Sequence, residues 1–60
     1  MTDAERIEAL LDLVDPARDE RPEASRALSV LGLVDRRGKG FWPTTAGWTL
    51  LSDRGRAFDI

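Results

Sequence analysis

Apolar residues return along the first quarter of the chain at the spacing of a helix. Ala4, Ile7, Leu10, Leu11 and Val14 fall on one face of a 3.6-residue repeat, while Arg6, Glu8, Ala9 and Asp12 fall mostly on the other. Thr2 and Glu5 stand three apart ahead of this run, the relation of a capping box. Asp3 and Glu5 also suit the positive end of a helix dipole. Asp15-Pro16 closes the run, because the residue before proline is driven out of the helical region. The pattern predicts a first helix over residues 3–14.

The next eight residues, DPARDERP, hold no large apolar side chain. Asp15 as cap with Pro16 in the first turn fits one short helical turn, and a charged connector fits the same residues. Pro22 then opens a second helix with Ala24, Ala27, Leu28 and Leu31 as its stripe, and Gly32 stops it. Beyond Gly32 the period changes. Leu33-Val34-Asp35-Arg36-Arg37 and Phe41-Trp42-Pro43 read as two short strands around Gly38-Lys39-Gly40, with both glycines expected at positive φ. Pro43 belongs at a strand end or edge, since it has no N–H for a ladder. Thr44 or Thr45 caps a third helix weighted by Trp48, Leu50 and Leu51, with Gly55 as its expected terminator. The last five residues are expected to fray unless Phe58 and Ile60 tuck back. The expectation is an α+β fold in a single domain over residues 1–60, three helices with a hairpin between the second and third.

Residues 28–51, LSVLGLVDRRGKGFWPTTAGWTLL, carry a series that resembles the closing half of winged helix-turn-helix regulators of the MarR, PadR and ArsR types. Leu28, Gly32, Leu33 and Val34 match the helix end and first strand. Phe41 or Trp42 matches the aromatic, and Thr44, Gly47, Leu50 and Leu51 match the last helix. Two departures stand out: DPARDERP occupies the place of the positioning helix without its apolar residues, and Pro43 stands where those families place an aliphatic residue. The resemblance implies a small winged-helix-like domain in which the hairpin is the wing and the second helix the recognition helix. It further implies duplex DNA as the partner, in a transcriptional regulator or accessory factor that pairs as a homodimer.

Composition narrows the chemistry. The 60 residues include no Cys and no His, which removes disulfides, the thiol nucleophile, the commonest general base and the usual structural zinc sites. No catalytic constellation can be assembled, so an enzyme, a metal site and a cofactor are not expected. The paired acids Asp12/Asp15 and Asp19/Glu20 read as solvated charge rather than an acid–base or metal site. No apolar run approaches a membrane span and no signal-peptide layout opens the chain, so a cytoplasmic protein is expected. The net charge of −2 hides an asymmetry: residues 1–32 carry four basic against eight acidic residues, whereas residues 33–60 carry five against three.

Candidate contact residues follow from this distribution. Arg36, Arg37 and Lys39 concentrate positive charge on the hairpin, suited to phosphates and to counterion release. The same charges also keep an exposed hairpin soluble and unpaired at its edge. Arg36 and Arg37 alternate faces, so only one of them meets a given phosphate row. On the second helix Glu23, Ser25, Arg26 and Ser29 are expected outward, with Arg26 placed for guanine and Ser29 for a phosphate or base edge, against the repulsion of Asp19, Glu20 and Glu23. Strand alternation forbids Phe41 and Trp42 from both facing inward, which makes Trp42 a candidate interface anchor. Leu13, outside the main stripe of the first helix, is a candidate dimer contact. The acidic first half supports a rival reading, a protein-binding module on the same scaffold that docks a larger complex as a small subunit, adaptor or phage-type inhibitor.

Overall fold

A computed structural model describes residues 1–59. The first helix, α1 (Asp3–Val14), begins at a complete capping box: the Glu5 N–H donates to Thr2 Oγ1 at 3.2 Å and the Thr2 N–H donates to Glu5 Oε1 at 2.8 Å. It ends at Asp15. Within DPARDERP the chain makes one turn, the Arg18 N–H on the Asp15 carbonyl and the Ala17 N–H on Asp15 Oδ1, and then runs without regular structure to Pro22. No helix lies between the first and second helices among the described residues.

The second helix, α2 (Pro22–Val30), starts on Pro22 and ends in a Schellman motif. The Gly32 N–H donates to the Ser29 carbonyl and the Leu33 N–H to the Leu28 carbonyl, with Gly32 at φ 76°. This close turn sends the chain straight into β1 (Val34–Arg37), which pairs antiparallel with β2 (Gly40–Pro43) through a two-residue loop. Of the two glycines at the hairpin turn, Gly38 has a positive φ, 58°, and Gly40 does not. The expected left-handed Gly40 is corrected: it is the first residue of β2, opposite Arg37, and positive φ at the first loop residue alone is the pattern of a type II′ hairpin.

The third helix, α3 (Thr45–Leu51), is capped by Thr44, whose Oγ1 accepts from the Gly47 N–H and donates to the Gly32 carbonyl at 2.8 Å. One hydroxyl thereby ties the end of α2 to the start of α3. The helix leaves at Ser52, φ 54°, and passes into a 3-10 turn, Ser52–Gly55, earlier than expected. Gly55 is no left-handed terminator. It is buried, and a Cβ there would stand 2.8 Å from Leu51 Cβ and 3.2 Å from the Trp48 ring, so the position takes glycine. Phe58 tucks back onto the core, the alternative to fraying; Ile60 lies outside the described residues.

The core is Ala9, Leu10, Leu11, Val14, Leu28, Val34 and Leu51, rimmed by Ile7, Leu13, Leu33, Phe41, Trp48 and Phe58 among others. It corrects the sequence reading of α1 in three places. Ala9 is buried, Leu13 is half-buried against this chain's own core, and Ala4 is exposed. The reason is that α1 packs against α2, α3 and β2 together, so the buried arc is wider than one stripe. Leu13 is thus part of the monomer's packing before any partner arrives. Among the described residues no helix is long and apolar enough to cross a membrane.

Candidate nucleic-acid interface

The nine basic residues divide into two groups. Five are engaged by acids of the same chain. Arg18 reaches Glu8 at 3.1 Å, Asp12 at 3.4 Å and Asp15 at 3.7 Å; Arg21 reaches Asp12 and Arg54 reaches Glu8, both at 3.0 Å. Arg6 pairs with Asp3 and Arg56 with Asp53. The connector therefore docks on α1 through ion pairs where apolar residues are lacking. Asp12 and Asp15, expected as solvated charge, are tied up in this network. Solvent screens exposed pairs of this kind, so the network orients the connector more than it stabilises the fold.

The other four, Arg26, Arg36, Arg37 and Lys39, form no ion pair among the described residues, and all four are exposed. They are the four cations singled out as contact candidates from the sequence. The strand register explains how the hairpin presents three of them. Val34 pairs with Pro43 and Arg36 with Phe41 on the face turned to the core; Asp35 pairs with Trp42 and Arg37 with Gly40 on the opposite face. Val34 and Pro43 are buried, and the Arg36 guanidinium lies 5.8 Å from the Phe41 ring centre, a cation–π contact on the hairpin's inner side. Arg37 stands on the outer face and Lys39 at the loop, so the two arginines diverge as strand alternation requires.

On α2, Arg26 and Ser29 are exposed as expected, together with Glu23. Ser25 is a correction: it is 1% exposed, and its hydroxyl donates to Glu20 Oε2 at 2.9 Å. Its place three residues before Leu28 puts it on the inward face, a signal the sequence did contain. Trp42 is 38% exposed, and its ring meets that of Trp48 edge-on, centroids 5.8 Å apart. Asp35, which the sequence reading passed over, faces Trp42 across the hairpin and holds no hydrogen bond or ion pair among the described residues. The two-residue loop sets that pairing.

The ion-pair network gives an acid-sensitive contact. Hydrogen bonds from Arg18 first, then Arg54, hold the Glu8 carboxyl below its ordinary range, and the same contact raises Arg18. A carboxylate depressed in the folded state stabilises fully above the unfolded value, and that contribution disappears as pH falls through the folded value. Melting temperatures of the native protein and Glu8→Gln, followed from neutral to strongly acidic pH, are expected to differ in favour of the native chain at neutrality. They should converge at the acid end; a gap constant with pH would show that Glu8 acts through something other than its charge.

No cluster of three or more acidic residues suited to a metal ion occurs among the described residues. In comparisons with protein-family models, curated proteins and solved structures, nothing matches this chain.

Proposed function

We propose that this chain is a shortened winged-helix module that holds duplex DNA through its hairpin, as a small cytoplasmic regulator or accessory factor. The observation that carries this reading is the selective pairing of charge. The basic residues packed near the acidic helix are paired with its acids, while the cations of the hairpin, and Arg26 on α2, form no ion pair among the described residues. Contact is made mainly by the hairpin, because Glu23 in the first turn of α2, with Asp19 and Glu20 before it, repels a phosphate-lined groove. Such binding reads the backbone more than the sequence.

A titration of random duplex DNA by fluorescence anisotropy at low and physiological salt tests the reading. Binding is expected at low salt, weakening as salt rises. Arg36→Ala with Arg37→Ala should reduce affinity alike on all sequences and lower the salt slope by about 1, since strand alternation lets only one of the two meet a phosphate row. Absence of binding at low salt would remove the proposal, and an unchanged double mutant would remove the hairpin as the contact.

A second reading is favoured by one observation. Val30 is 89% exposed and Leu31 beside it is also exposed, at the end of α2 where a solitary domain gains nothing from apolar side chains. A second copy of the chain or a larger protein complex covering that corner would account for them, and sedimentation at micromolar concentration separates a homodimer from a monomer.

A further inference from the structure

The outer face of the hairpin combines three chemistries within one small area. Trp42 offers an exposed indole, its neighbour Trp48 fixing it edge-on rather than stacking over it. Directly across the strands stands the unengaged Asp35 carboxylate, and directly opposite residues in an antiparallel pair bring their Cβ atoms to within about 5.5 Å. Two residues along the same face lie Gly40 and Arg37. Gly40 has no side chain, and a Cβ built on it would meet nothing within 4 Å, so the floor beside the indole is open. Arg37 and Lys39 edge this opening with unpaired positive charge.

We propose that this face is a stacking site for one unpaired base of single-stranded DNA, selective for guanine. The indole supplies the stacking surface, which any base can use. Selectivity comes from Asp35. An ionised carboxylate only accepts hydrogen bonds, and its two oxygens match two parallel donors. Guanine alone presents two adjacent donors, N1–H and the N2 amino group, on its Watson–Crick edge. Adenine and cytosine present a single amino group there, and thymine a single N3–H between two carbonyls that the carboxylate repels. Arg37 and Lys39 then take the flanking phosphates. The site shares those cations with the proposed duplex contact but does not depend on it, since a paired guanine offers neither its faces nor that edge.

The experiment uses the full chain and a single-stranded oligothymidylate of about eight nucleotides with one central guanine, compared with the same strand carrying adenine, cytosine or thymine there, and with a blunt duplex. Anisotropy gives affinity, and quenching of the indole fluorescence reports stacking. The guanine strand is expected to bind about tenfold more tightly than the all-thymine strand, with quenching. Trp42→Ala should weaken it by about tenfold or more, Trp42→Phe by less, and Asp35→Asn should level the four bases while leaving the quenching in place. Trp42→Phe keeps an aromatic at the hairpin should the alanine variant fail to fold by circular dichroism. Equal affinity for the four bases, or unchanged affinity in a folded Trp42 variant, overturns the proposal. Duplex binding without single-strand binding sinks this site and leaves the duplex reading standing; the reverse result sinks the duplex reading and leaves this site.

Discussion

Gly47→Ala is expected to destabilise the protein strongly, although in an isolated helix the same change would stabilise it. Gly47 is the third residue of α3, where helix propensity favours alanine by up to about 1 kcal/mol. Against this, the added Cβ would overlap the Leu33 carbonyl oxygen and stand 3.1 Å from Pro43 Cβ. Neither obstacle is the end of a flexible side chain. The Leu33 carbonyl already accepts the Thr44 N–H at 3.0 Å, so moving it breaks the junction that joins β1 to the start of α3. Overpacking of this kind costs about 1–3 kcal/mol, and leaving the Thr44 N–H without its partner adds about 1–3 kcal/mol more. The clash therefore outweighs propensity. A urea titration followed by circular dichroism should place the variant's midpoint well below that of the native protein. A midpoint at or above the native value would mean that α3 does not approach β1 so closely.

Leu28→Ala is expected to remove most of the folding stability and to lower the melting temperature strongly. Leu28 is 0% exposed and stands at the centre of the core, and its carbonyl also anchors the Schellman turn. Truncation of a buried leucine costs about 2–5 kcal/mol, depending on how far the cavity collapses. A domain of 60 residues has roughly 3–9 kcal/mol in all, at the usual stability per residue. With no cysteine to form a reinforcing disulfide, most of that reserve is lost. Val30→Ala, two residues along the same helix but exposed, is the control and should change stability by less than about 0.5 kcal/mol. Thermal melts of the two variants read the difference directly. Similar losses from both would mean that Val30 is covered by another copy of the chain, as the second functional reading requires.

Both effects bear on function through the same joint. The hairpin is held by its buried base, Val34 and Pro43, and by Phe41 on the core rim and Trp42 against Trp48, while Asp35, Arg36, Arg37 and Lys39 reach into solvent. The Gly32 turn before it and the Thr44 cap after it are bonded to each other. Rigid seating at the base and exposure at the tip are what a contact element needs, since ordering the backbone in advance lowers the entropy cost of binding.

Local chemistry was enough to settle much of this architecture. The Thr2–Glu5 box, the proline stops, the Gly32 turn and the change from helical to alternating periodicity each act within a few residues, so α1, α2, the hairpin and the Thr44 cap could be read along the chain. The division of the cations was only half legible. That Arg36, Arg37 and Lys39 cluster is a matter of sequence, but their freedom from acids depends on Arg18, Arg21 and Arg54 folding back onto α1 from elsewhere in the chain. Tertiary packing also decided the inward turn of Ser25, the burial of Ala9 and Leu13, and why positions 47 and 55 carry glycine. Contacts between elements distant in sequence leave no periodic trace, and steric room for a Cβ is a property of the neighbouring backbone rather than of the residue itself.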